Sequence, residues 1–345
     1  MQFKIITVYN SLNYGSFLQA IALKIAIESL DKNLKVYFFN TKSRHPYKLA
    51  IRKMLHSIKT GNLSQFKYEY ILFKKYREDW KMLDVVDDIN KEDFVITGSD
   101  EIWNIHKKDF LRYPVFWGLG IKCKKIISYA VSSNMTTYEE ITDAGYPIEA
   151  LKNYSSIGVR DKYTQELVSK ISNKEAIKVL DPTFLLKLDD YLSLERKVNI
   201  DNYILIYGYN SHFEVETINL LKKFAAKEKI VIVAAGFYQE WCDLNIAASP
   251  LEFLSLVKNA KYVISGTFHG TVFSIIYNKK FVVISKNNPK IIDLIEEFEL
   301  NNKLISDTKV NFINELISNI DYNNINNKIM INRKASMDFL KNNIF

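Results

Sequence analysis

The sequence predicts an α/β protein of two domains, each a parallel sheet flanked by helices, and three observations carry that expectation. Short runs rich in β-branched and aromatic residues alternate with longer segments of helical period along almost the whole chain. The 345 residues exceed the size at which a single hydrophobic core stops growing, and at 48% hydrophobic they hold apolar material for two. A charged stretch over residues 186–201 separates two sets of strands, so a first domain is expected over residues 1–190 and a second over 200–320.

In the first domain, strands are expected over residues 3–8, 35–39, 94–97, 125–130, 156–159 and 177–179, with helices between them. The first of these helices, residues 17–30, reads as amphipathic. In the second domain, strands are expected over 203–207, 230–234, 262–265 and 280–284. The remaining segment, 311–345, is helical in period and rich in Asn; from residue 321 it is expected to pack back on the first domain.

Four turns follow predicted strands, and open α/β sheets bind ligands at that end. In Asn10-Ser11-Leu12-Asn13-Tyr14-Gly15-Ser16, Gly15 permits close backbone approach. Asn13 or Ser16 can cap the helix behind it, which leaves an N-terminus suited to an anion. Thr97-Gly98-Ser99-Asp100-Glu101-Ile102-Trp103-Asn104 presents a carboxylate, an indole and an amide close together, unless Ser99 or Asp100 is a helix cap and Trp103 is core. Arg160, in Gly158-Val159-Arg160-Asp161, suits a planar carboxylate or phosphate, or pairs with Asp161 or another acid. Ser265-Gly266-Thr267-Phe268-His269-Gly270 brings backbone N–H groups and an imidazole to one strand end. His269 there is a candidate for proton transfer or for holding an anion, against the alternative of a core histidine beside a tight turn.

Five pieces occur in order over residues 10–285: Asn13-Tyr14-Gly15 with Leu18-Gln19-Ala20, Gly98-Ser99-Asp100 with Ile102-Trp103-Asn104, Gly158-Val159-Arg160-Asp161, Leu180-Asp181-Pro182-Thr183, and Ser265 with Phe268-His269-Gly270-Thr271. Together they resemble the polysaccharide pyruvyl transferase family. The resemblance implies two Rossmann-like domains facing across a cleft in a GT-B-like arrangement, with a last helix returning to the first domain. It implies a transferase that moves the enolpyruvyl carbons of phosphoenolpyruvate onto two hydroxyls of a sugar, making a pyruvate ketal in cell-surface or exopolysaccharide biosynthesis. The chain departs from the family at Thr267, where many members carry an arginine that helps hold the donor's charge.

That chemistry needs cations or N–H donors around phosphate and carboxylate, an acid for the methylene carbon and a base for the hydroxyls. On this reading His269 and Asp100 are catalytic. Arg160, Thr267, Gly270 and Thr271 hold the donor. Asn13, Gly15, Trp103 and Asn104 line the acceptor side, with the indole stacking on a sugar face. No cofactor is expected beyond phosphoenolpyruvate as co-substrate. Two alternatives stand beside it: a GT-B-type glycosyltransferase with a nucleotide-sugar donor, and a non-catalytic saccharide-binding protein.

The net charge of +8 favours anionic partners. Its densest part, residues 42–81, carries Lys42, Arg44, Lys48, Arg52, Lys53, Lys59, Lys67, Lys74, Lys75, Arg77 and Lys81 among Tyr, Phe and Leu. Amphipathic helices with a basic face explain it, no nucleic-acid motif accompanies it, and a peripheral membrane contact is the further option. No apolar run reaches the ~18 residues that span a bilayer, and MQFKIITVYN reads as a strand rather than a signal peptide, so a cytoplasmic protein is expected, with the inner face of the membrane as its possible station. Cys123 and Cys242 have no Cys or His at metal-ligand spacing, so neither a disulfide framework nor a metal site is expected.

Overall fold

Runs of Val, Ile, Tyr and Phe form strands that are buried on both faces, as a sheet covered by helices on either side requires. The computed structural model describes residues 2–42, 46–106, 114–144, 146–285, 287–306 and 311–345. Arg44 of the basic stretch lies outside the described residues.

The first sheet contains β1 (Gln2–Ile6), β2 (Lys35–Phe39), β3 (Val85–Val86), β4 (Phe94–Thr97), β5 (Lys125–Val131), β6 (Ser156–Val159) and β7 (Ala176–Lys178) in the order β3-β2-β1-β4-β5-β6-β7. The second contains β8 (Tyr203–Tyr207), β9 (Val231–Ala235), β10 (Leu244–Ile246), β11 (Tyr262–Ser265), β12 (Lys280–Ile284) and β13 (Leu304–Ile305) in the order β10-β9-β8-β11-β12-β13. Every strand pair is parallel. Both sheets run outward in two directions from a central pair, β1 and β4 in one and β8 and β11 in the other. Those two pairs are the topological switch points, where a crevice opens at the carboxyl ends of the strands.

The expected strands all form, with boundaries moved by one or two residues. β3, β10 and β13 are additional. They are two or three residues long and sit at or near sheet edges, too short to carry a period that a sequence pattern reveals.

The first helix spans Tyr14–Leu30, starts at the cap Asn13 and is buried almost all round rather than amphipathic. The reason is its position: it packs against the helices Pro250–Asn259 and Phe268–Ile276 of the second domain and against the last helix. Tyr14, at its start, stacks on Phe253 at 4.6 Å and on Tyr207 at 5.4 Å, and its hydroxyl donates to Ala248 O at 2.9 Å. This aromatic group joins the two domains into one apolar interface.

The last helix, Tyr322–Ile344, crosses from the second domain to the first. At its start the Tyr322 hydroxyl donates to Lys279 O. Further along, Arg333 donates to Phe184 O and Leu186 O, Ser336 Oγ accepts from the Leu180 N–H, and Asn343 O accepts from Lys125. The return expected of this helix is therefore made on the backbone groups of Leu180, Phe184 and Leu186 and on the side chains of Lys125 and Ser156.

Candidate functional site

The two switch points face each other across a cleft of about 520 Å³. Asn13, Ser16, Lys53, Asp100 and Glu101 line it from the first domain; His212, Thr267, Phe268, His269 and Lys290 line it from the second. A further cavity of about 370 Å³, sharing His212, Gly266 and Asn288 with the cleft, adds Asn134, Ser211, Ser285 and Asn287.

The first wall is held by Gln19. Its amide donates to Thr7 Oγ1, Val8 O and Ser16 O, and its carbonyl accepts from Ser99 Oγ at 2.9 Å. The Thr7 hydroxyl in turn donates to Ser99 O. A fully buried amide with four partners fixes the turn after β4 against the first helix. Asp100 follows with φ 78°, a left-handed conformation that only a well-supported non-glycine residue adopts. Its carboxylate accepts from Ser16 Oγ at 2.9 Å and from the Glu101 N–H at 2.8 Å, and it faces the cleft.

The second wall is a helix start. Thr267 caps the helix Phe268–Ile276, its hydroxyl accepting from the Gly270 N–H at 3.1 Å, while the Thr271 N–H bonds to Thr267 O. Gly270 has no room for a side chain: a Cβ there would strike Ser265 Oγ and the Tyr207 ring. The capped geometry uses the N–H groups of Gly270 and Thr271, so these do not hold an anion as expected; the helix start offers those of Phe268 and His269 instead.

Behind Phe268, three separate parts of the chain meet. Arg160 Nη1 donates to Asp181 Oδ2 at 3.0 Å, and His269 Nε2 lies 3.5 Å from the same oxygen. Asp181 Oδ1 accepts from the Thr183 N–H and hydroxyl. Burial works against charge on Asp181, but His269, then Arg160 and Thr183, outweigh it and hold its carboxyl well below the usual carboxylate range. The guanidinium also packs on the Phe268 ring at 4.4 Å, with Nε and Nη2 buried and lacking a hydrogen-bond partner. The imidazole's other side, with Nδ1, rests on Gly15: a Cβ at Gly15 would overlap it. His269 thus bridges the buried carboxylate and the cleft.

Several expected roles change in this geometry. Gly15 is buried and makes room for His269 rather than lining an acceptor wall. Trp103 is 1% exposed, stacked on Trp117 at 4.8 Å with its indole N–H donating to Phe116 O, so neither face of its ring is open to a sugar. Asn104 is buried beside it, bonded to Glu101 and to the His106 N–H. Both are drawn in because the chain after Asp100 folds back on β5 through Trp103 N–H to Ser132 O and Ser132 N–H to Asp100 O, rather than entering a helix. Arg160 pairs with Asp181, not Asp161, and lies one layer behind the cleft surface. Asn13, Asp100, Thr267 and His269 do line the cleft.

The sequence reading missed Lys290. Its ammonium contacts Glu101 Oε1 across the cleft and lies 5.8 Å from the Phe268 ring. Burial pushes it down to about 8, with Asp100 acting in the opposite direction. It is a lysine on an ordinary helix start by sequence, and only the closure of the two domains gives it a role. Asp181 had a signal, a strand followed by Asp-Pro-Thr, but no sequence spacing connects it to residues 21 and 88 positions away.

The family model for polysaccharide pyruvyl transferase matches residues 13–289. The chain belongs to the polysaccharide pyruvyl transferase family. Among curated proteins none matches it. Among solved structures it is similar in fold to a UDP-N-acetylglucosamine 2-epimerase, with 9% identity, TM-score 0.52 and 97% and 92% of the two chains covered. It is also similar to UDP-GlcNAc 2-epimerase from Neisseria meningitidis bound to UDP-GlcNAc, with 9% identity, TM-score 0.51 and 98% and 100% covered. At that identity the likeness is one of fold: two Rossmann-like domains in a GT-B-like arrangement. In this pyruvyl transferase family member the five ordered motifs form two groups. Gln19, Ser99 and Asp100 build one wall, and Arg160, Asp181 and His269 build the support of the other.

Proposed function

We propose that the protein transfers the pyruvyl carbons of phosphoenolpyruvate onto two hydroxyls of a saccharide, as a ketal, with release of phosphate. The observation that supports this reading best is the buried array of Arg160, Asp181 and His269, which backs an imidazole with a carboxylate at the floor of a two-domain cleft.

The chemistry asks for a proton on the methylene carbon of the donor, two new C–O bonds at C2 and loss of the C2–O–phosphate bond. Asp181 lies 3.5 Å from His269 Nε2, and on this reading the imidazole serves as the acid for carbon or for the departing phosphate. Lys290 and the N–H groups of Phe268 and His269 supply positive potential for the donor's anionic groups. Asp100, held in one orientation by Ser16 and its own turn, accepts the hydroxyl proton. The adjoining cavity, with its amides and hydroxyls at Asn134, Ser211, Ser285 and Asn287, suits an uncharged saccharide. Cell-surface or exopolysaccharide biosynthesis is the setting this reaction implies.

A nucleotide-sugar glycosyltransferase is the second reading, and Thr267 favours it, since the arginine common in the family is absent from the donor wall. Thermal unfolding with phosphoenolpyruvate, and separately with nucleoside diphosphate sugars, distinguishes the two. At 100 times its Kd a ligand stabilises by about 2.7 kcal/mol, a shift of several degrees. Stabilisation by phosphoenolpyruvate that is lost in His269→Ala supports pyruvyl transfer. A response to nucleotide sugars alone replaces it with glycosyl transfer, and a response to saccharides alone, without turnover, with a binding protein.

A further inference from the structure

The helix Pro46–Lys59, PYKLAIRKMLHSIK, packs on the protein along one side, where Met54 rests half-buried against the core and Lys53 pairs with Glu69. Of its described side chains Pro46, Ala50 and Ser57 are buried. On a helical projection these three fall within about 40° of one another, so that side is one edge of the helix. The opposite side is open and sorted by type. Ile51, Leu55 and Ile58, each 52% exposed, form an apolar arc, with the equally exposed Tyr47 at its edge against Phe73 and Arg77. Lys48, Arg52 and Lys59 form a basic arc next to it, and His56 extends that arc. A soluble helix normally buries its large apolar residues and exposes its charges. Here both lie outward together.

The charge says what meets this face. The helix contains no Asp or Glu, and residues 42–81 carry eleven basic residues against three acidic. Of those three, Glu69 is buried against Lys53, Glu78 pairs with Lys81, and Asp79 is buried against Arg196. Glu240 shares a shallow pocket with His56, but among the described residues no acid pairs with Lys48, Arg52 or Lys59. An apolar stripe flanked by unneutralised Lys and Arg fits an anionic bilayer surface, where the side chains enter the acyl boundary and the cations stay at headgroup level.

We propose that the helix Pro46–Lys59 docks this protein on an anionic lipid surface. Leu49 and Lys53 of the same helix line the cleft. They lie on the side of the helix opposite the apolar arc, so docking holds the cleft one helix diameter, about 10 Å, above the bilayer, and if the proposed function holds, a saccharide carried on a lipid is presented to it from that surface.

The test is co-sedimentation of the full chain with vesicles of phosphatidylcholine alone and of phosphatidylcholine with phosphatidylglycerol, at low and high salt. It reads binding without any assay of turnover, so it stands or falls separately from the assigned reaction. Binding to the anionic vesicles that falls in high salt is expected. Lys48→Gln/Arg52→Gln/Lys59→Gln should weaken it on the order of 10²-fold, at about fivefold per charge. Ile51→Ser/Leu55→Ser/Ile58→Ser should abolish it, with the unfolding temperature of both variants unchanged because the side chains are exposed. Absence of binding, or equal binding by both variants, overturns the proposal. So does a wild-type dimer in solution that the apolar variant converts to monomer, which would make this face a contact between two copies.

Discussion

The turn after β4 and the turn after β11 occupy equivalent places in two sheets of the same strand order, yet they are built in opposite ways. The first is a knot of side-chain hydrogen bonds around Gln19 that presents carboxylates. The second is a capped helix start that presents an imidazole and N–H groups, with Lys290 beside it and Asp181 and Arg160 behind. The position of a site follows from topology, whereas its polarity follows from what each turn is made of. The first wall carries Asp100 and Glu101 with Lys53 beside them, and the second carries His269 and Lys290.

The comparison breaks most severely where the second wall is supported. Asp181→Ala leaves Arg160 buried without its carboxylate and should lower stability by about 3–5 kcal/mol in denaturant unfolding. Because the folded carboxyl is held below its unfolded value, its contribution is complete above about pH 3.9 and fades as pH falls through the lowered folded value. The stability gap between wild type and Asp181→Ala should therefore narrow below about pH 4; a gap that is the same at pH 7 and pH 3 would remove the ion pair as its cause.

At the surface of that wall, His269→Ala should reduce turnover by about 10² to 10⁴ while the protein stays folded. A fully active variant would exclude the imidazole from the chemistry. Gly15→Ala sharpens the comparison, because the glycine belongs to the first wall and acts on the second: the new methyl group displaces the ring. Its loss of turnover should approach that of His269→Ala, and the double variant should be little worse than either single one. Additive losses would give Gly15 a separate function.

The first wall is tested by Asp100→Asn, expected to lower kcat by about 10² with phosphoenolpyruvate affinity unchanged. Weakened donor binding instead would mean that the two walls do not divide the substrates. The smallest effect is expected for Lys290→Met, about tenfold in phosphoenolpyruvate affinity by calorimetry. In the wild type that affinity should decline as pH rises through about 8, where Lys290 loses its proton, and the variant should lack this limb.

The sequence reading found the long strands because Val, Ile and aromatic runs must be buried, and it placed His269 at a strand end because Gly266 and Gly270 mark a turn between two apolar runs. It missed β3, β10 and β13 because pairs and triplets of residues have no period. Trp103 was misread for a related reason. An indole beside acids looks the same in sequence whether the chain continues into a helix or folds back on β5 and buries it.

What the sequence determined by itself was the alternation of strand and helix, the ordered motifs and the turns that carry them, since these depend on local pattern and backbone chemistry. Tertiary structure alone decided that Asp181 lies between Arg160 and His269, that Gly15 is the space His269 occupies, and that Lys290 meets Glu101. Each of these is a contact between segments tens to hundreds of residues apart. Its partners are chosen by how two parallel sheets set their switch points face to face, a geometry that no spacing along the chain encodes.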